Sequence, residues 1–113
     1  TLRERFERGD AAVAEAVRFW ADLTDQARAA LKAGDAVRLG ALMNANFDKR
    51  AEVCRISEGN MKMVEAARAA GASAKFTGSG GAIIGTYADE AVYGRLEAAL
   101  NRLQVKVFKP RVV

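Results

Sequence analysis

Apolar residues recur at steps of three and four through the first 70 positions, the spacing of one helix face. Val13, Val17, Trp20, Leu23, Ala27 and Leu31 mark a first long helix. Gly9-Asp10 opens it, with Asp10 placed to cap the first turn, and Gly34 suits its C-terminus. Asp35 caps a second helix that carries Leu39, Leu42, Met43, Phe47, Val53 and Cys54 on one side. A connection this short makes the two helices antiparallel neighbours. A third helix runs from about Asn60 to Ala70, with Met61, Val64, Ala67 and Ala70 inward, and Gly71 ends it.

The pattern then changes. Lys75-Phe76-Thr77 is short and β-like, and Thr77-Gly78-Ser79-Gly80-Gly81 is a glycine-rich turn. Ala82 to Tyr87 is a continuous apolar run with β-branched residues, which predicts a mostly buried strand. Asp89 caps a last helix with Val92, Leu96, Leu100 and Leu103 inward. Gln104 to Lys109 alternates with period two, as a half-buried strand does. The order is ααα-ββ-α-β, read as one domain over residues 1–113. It predicts an α+β fold with helices on one face of a small, mainly antiparallel sheet. Trp20 is expected to anchor the first helix to that sheet, and Cys54 to be a small buried hydrophobe.

Four of the eight residues from Gly78 to Gly85 are glycine. Such a turn lets successive N–H groups converge on an anion, and Thr77 and Ser79 add hydroxyl donors. The same glycines would serve equally in a plain tight hairpin. The turn lacks the lysine of a P-loop and leads into a strand, so it is neither a P-loop nor a dinucleotide fingerprint. On the second helix, Asn44, Asn46, Asp48 and Arg50 interrupt apolar neighbours, with Asn46 and Arg50 four apart. They fit either a ligand face, where Arg50 grips a carboxylate or phosphate, or a solvated face where an acidic residue pairs with Arg50.

Composition narrows the chemistry. Of the 113 residues 24 are alanine, so helix is favoured but the core is modest. There is no histidine and one cysteine, which excludes histidine bases, the usual zinc sites and an internal disulfide. The net charge of +4 is scattered; its densest run is Lys106, Lys109 and Arg111, too sparse for nucleic-acid binding. No apolar run suits a membrane span, and a cytoplasmic protein is expected. The chain opens on Thr1, which reads as a processed product or a piece of something longer.

Three stretches, taken together, are familiar. Leu42-Met43-Asn44-Ala45-Asn46-Phe47-Asp48-Lys49-Arg50, then Met63 to Arg68, then Ala74 to Ala82 resemble the C-terminal domain of the GHMP kinases. The glycine segment is similar to that family's third motif. Asn-x-Asn-Phe-Asp-x-Arg resembles the glucuronokinase branch more than mevalonate kinase or galactokinase.

The resemblance implies a ferredoxin-like domain of an ATP- and Mg²⁺-dependent phosphotransferase acting on a sugar or small alcohol. Its catalytic residues and phosphate loop would lie in an N-terminal domain, together with the family's first C-terminal strand, upstream of Thr1. The chain alone would then hold no catalytic residue and no metal ligand. Thr77, Gly78, Ser79, Gly80 and Gly81 would sit beside the triphosphate, and Asn44, Asn46 and Arg50 on the acceptor side. The surface left by the missing domain is expected to self-associate into a homo-oligomer. A stand-alone, non-catalytic ligand-binding or interaction module is the competing reading.

Overall fold

A computed structural model describes residues 1–78 and 80–110, so Ser79 of the glycine turn and Arg111 of the basic run lie outside the described residues. Helices come first: α1 (Leu2–Glu7), α2 (Ala11–Ala33), α3 (Ala36–Val53) and α4 (Glu58–Ala69). A hairpin of β1 (Lys75–Phe76) and β2 (Ile83–Ile84) follows, then α5 (Glu90–Asn101). The helix-rich α+β class read from the sequence is the one observed.

The caps do what their residue types allow. Asp10 accepts from the N–H groups of Ala12 and Val13, Asp35 from Arg38, Ser57 from Asn60 and Asp89 from Val92. The short α1 was not anticipated as a separate helix. Thr1 and Glu4 cap it reciprocally, and Arg5 pairs with Asp10 at 2.9 Å across the Gly9 turn. The pairing to Arg5, then the bond from Val13 N–H, holds the Asp10 carboxyl below its usual 3.8.

Two apolar clusters hold the elements together. Leu23, Ala30 and Leu42 join α2 to α3, with Trp20, Ala27, Leu39 and Ala45 around them. Phe47, Val64, Ala67, Ala74 and Phe76 join α3 and α4 to β1, with Leu96 of α5 against them. The rings of Phe47 and Phe76 meet edge to face, 5.0 Å apart at 73°. Thus α3 is the middle layer, between α2 on one side and the hairpin on the other. Trp20 serves the first cluster: its Nε1–H donates to the Asn46 carbonyl at 3.2 Å, so it anchors α2 to α3 and not to the sheet. Leu31 is 66 % exposed because it sits at the α2–α3 turn, past the end of the shared interface.

The hairpin is antiparallel, with Lys75 opposite Ile84 and Phe76 opposite Ile83. The same register carries on to Ser73 and Thr86, whose pairing rests on side chains as well as backbone. Ser73 N–H donates to Thr86 O at 3.0 Å, Thr86 N–H donates to Ser73 Oγ at 2.8 Å, and the two hydroxyls lie 2.7 Å apart. Between them, a Cβ on Gly85 would sit 1.8 Å from Ser73 O. This close approach is open to glycine alone.

The expected run from Ala82 to Tyr87 is therefore a strand over only two residues, and it is not buried: Ile83 is half-buried and Ile84 is 41 % exposed. The sheet that would cover it has only two strands among the described residues.

The third strand expected at Gln104–Lys109 does not form. Gln104 turns the chain at φ 62°, and Val105 N–H bonds back to Leu100 O. Beyond it, side chains hold the segment. Lys109 Nζ lies 2.7 Å from a Glu90 carboxylate oxygen and 4.6 Å from the centre of the Tyr93 ring. The alternation of the segment survives as half-buried Val105 and Val107 without any ladder.

Two outcomes follow for stability. Gly85→Ala should lower the unfolding free energy by about 3 kcal/mol, the upper range for overpacking, read as a shift in the urea midpoint. The contribution of Asp10 holds above the ordinary carboxylate pKa and is lost as pH falls through its lower folded value. Asp10→Asn, which keeps a capping acceptor without the charge, should flatten the acid side of a stability-against-pH curve.

Candidate functional site

The glycine turn closes the hairpin. Thr77 N–H donates to Ala82 O at 3.2 Å, and the Thr77 hydroxyl reaches the same oxygen at 3.5 Å. Gly78, Gly80 and Gly81 hold φ of 73°, 122° and 86°, the left-handed side that favours residues without Cβ. Thr77, Gly78 and Gly81 are exposed and Gly80 is half-buried. The turn leans back over its own base: a Cβ on Gly80 would lie 3.1 Å from Asn60 Nδ2 and 3.5 Å from the Phe76 ring. The hairpin alternative is thus correct as geometry, and that geometry also leaves polar backbone facing outward.

The residues singled out on α3 divide between two partners. Arg50 lies at the hairpin end: its Nη1 donates to Gly78 O at 2.7 Å, and the guanidinium stands 5.1 Å from the Phe76 ring centre. None of the ion pairs among the described residues includes Arg50. Asp48, an acidic residue of the same helix, binds Arg68 of α4 at 2.7 Å. Asn44 lies nearer the start of α3, where its Oδ1 accepts from Ala74 N–H at 2.9 Å. Ala74 is fully buried, so that bond satisfies a donor that water cannot reach. Asn46 contributes its carbonyl to Trp20.

Asn44 also lines an open cleft of about 320 Å³ between α3 and the segments flanking the hairpin. Gly40, Ser73, Thr86 and Tyr87 form its other walls. Asn44 and Arg50 are thus spaced along one helix, one at the cleft and the other at the glycine turn.

Two further contributors escaped the sequence reading. Arg68 donates to the Asn44 carbonyl at 3.1 Å and stands 5.4 Å from the Phe47 ring, besides binding Asp48. Asn60 sits under Gly80. No pattern in the sequence joins Arg68 to Asp48, since they lie on different helices. A polar residue in the first turn of α4, next to a glycine-rich turn in space, carries no local signal either. Cys54 is half-buried at the C-cap of α3, more accessible than expected.

Chemically, the turn can accept an anion through backbone N–H groups and the Thr77 hydroxyl, and Arg50 adds positive charge at its rim. The contribution expected of Ser79 lies outside the described residues. Among the described residues, no three His, Cys, Asp or Glu side chains come together to hold a metal ion. No helix of the described residues is long and apolar enough to cross a membrane.

The sequence that folds into this helical layer and hairpin matches a known domain. The family model for the C-terminal region of GHMP kinases fits residues 27–106, and the chain belongs to that family. It is 42 % identical over 88 residues to probable glucuronokinase 2 of Arabidopsis thaliana, covering 74 % of this chain and 24 % of that protein. It is 39 % identical over 87 residues to glucuronokinase 1 of the same plant, covering 74 % and 24 %. The aligned region spans about a quarter of each relative's length. No solved structure matches.

Asn44→Ala should leave Ala74 N–H buried without a partner. The expected loss is about 1–3 kcal/mol of stability by urea unfolding, with helix content unchanged by circular dichroism.

Proposed function

We propose that this chain is the C-terminal domain of an ATP-dependent sugar kinase and forms one wall of its active site. The observation that carries the reading is the turn from Thr77 to Gly81, with three glycines at positive φ beside the arginine of α3. In this reading the turn faces the triphosphate. The face of α3 with Asn44, Asn46 and Arg50 lies toward the acceptor, and an N-terminal domain supplies the catalytic residues. The ferredoxin-like layout that the resemblance implies would add further strands to the open edges of the β1–β2 hairpin.

ATP with Mg²⁺ supplies the transferable phosphoryl group. The turn offers donors that suit the phosphates, and among the described residues no three carboxylates come together beside it. What the chain contributes is position and charge. Backbone N–H groups and the Thr77 hydroxyl offset negative charge on the phosphates, and the rigid hairpin holds those donors in place before the substrate arrives. The guanidinium of Arg50 has five N–H donors, of which the bond to Gly78 takes one. The rest can meet an anionic acceptor such as a uronate carboxylate, the acceptor class suggested by the names of the two relatives. A cytoplasmic location fits this chemistry. Self-association of the isolated chain fits its open sheet edges and exposed Ile84, Leu31 and Val37.

The test uses Gly80, where an added Cβ meets both an adverse φ and Asn60. In the longer kinase, Gly80→Ala should raise KM for ATP about tenfold or more and leave KM for the sugar near its starting value. An unchanged KM for ATP would sink the reading. Calorimetry with ATP·Mg²⁺ on this chain alone should show weak binding or none. Micromolar binding would favour the stand-alone module.

A further inference from the structure

Arg50 touches the glycine turn in two ways that need each other. Its Nη1 donates to the carbonyl of Gly78, the first glycine of the turn. The rest of the guanidinium lies over the ring of Phe76, the last residue of β1. Phe76 is fixed in turn by its edge-to-face contact with Phe47, three residues before Arg50 on the same helix. The contacts close a loop of their own: α3 holds Phe47, Phe47 holds Phe76, and Arg50 returns from α3 to cover Phe76 and grip Gly78.

A lysine could make the hydrogen bond or place the charge, but it has no flat face to stack while it does so. The turn has little else to hold it. Gly78, Gly80 and Gly81 bring no side chains, and the bonds across its neck are both made by Thr77 to Ala82. Gly78 lies outside that neck, in a part to which α3 supplies a bond through Arg50.

We propose that Arg50 is the positioning residue of the glycine turn. It fixes the Gly78 peptide relative to α3, so that the donors after it face the ligand in one arrangement. Because Gly78 O accepts from Arg50, the direction of that carbonyl relative to α3 is set. This deepens the phosphate-side reading and depends on it for its functional meaning. The positioning itself is a property of the chain and is measurable without ATP.

Amide hydrogen exchange on the chain with Arg50→Ala, Arg50→Lys and Arg50→Gln tests it. The expected result is exchange about tenfold or more faster at the Thr77 amide, whose bond to Ala82 O closes the turn that Arg50 holds, with α2 and α5 unchanged. Arg50→Lys should behave as Arg50→Ala does, because charge alone does not rebuild the stack. A Thr77 amide that exchanges within about twofold of the parent chain in the folded variants would overturn the proposal, and so would full restoration by Arg50→Lys. If Arg50→Ala fails to fold, the Lys and Gln variants carry the test.

In the longer kinase, the same variants should raise KM for ATP even with a neutral acceptor. Faster turn exchange with an unchanged KM for ATP would support the positioning and count against the phosphate-side reading instead. A rise in KM confined to acidic sugars, with turn exchange unchanged, would make Arg50 only a ligand of the acceptor and overturn its positioning role.

Discussion

The edge-to-face contact of Phe47 and Phe76 is the point on which the rest of the structure turns. It joins the middle helix to the first strand at the centre of the larger core, with Val64, Ala67 and Ala74 packed around it. Truncating either ring would cost about 3–5 kcal/mol, a large share of the stability of a domain this size. Arginines stand on the outer sides of the pair, Arg68 by Phe47 and Arg50 by Phe76. Each arginine then spends its donors on backbone that the rings have brought near: Arg68 on Asn44 O, Arg50 on Gly78 O. Arg50 of α3 and Arg68 of α4 thus extend an apolar contact to nearby backbone, Arg50 as far as the glycine turn.

This arrangement explains how so short a hairpin holds its shape. Two residues in each strand give little backbone pairing, and a lone hairpin is marginal in water. Stability comes from packing at Phe76, from the Ser73–Thr86 hydroxyl pair and from the bond that Asn44 gives Ala74. Phe76 lies at the base of the turn, and the other two attach at the end of the hairpin away from it. The turn is therefore carried on a packed base while Thr77, Gly78 and Gly81 stay exposed. The chain's membership of the family of GHMP kinase C-terminal domains rests on its sequence over residues 27–106, which takes in both α3 and the hairpin.

How much of this was legible in the sequence depended on how local the cause was. The three long helices of the first 70 residues and α5 could be read because their caps and their period of three to four lie within the segment itself. The glycine turn could be read as a turn, since glycine acts at its own position. The strand at Gln104–Lys109 could not, because its alternation records only which side chains are half-buried. Whether a ladder forms depends on a neighbour, and here Glu90 and Tyr93 hold Lys109 through its side chain. Trp20 was assigned the wrong partner for a similar reason: a helix face states that it is covered, not by what. The bond from Arg50 to Gly78 joins positions 28 apart in sequence, and nothing at either end marks the other. Gly85 was counted with the glycines of the turn, whereas its need is the closeness of Ser73 O.

The central claim is that the turn from Thr77 to Gly81, held by α3, is the phosphate-facing wall of a kinase site. Amide chemical shifts of the longer protein, recorded as a non-hydrolysable ATP analogue with Mg²⁺ is added, address it most directly. The account predicts that, within this domain, the largest shifts fall on Thr77, Gly78, Gly80 and Gly81, with smaller ones at Arg50 and none along α2. Saturating nucleotide that leaves those turn amides unmoved would contradict it.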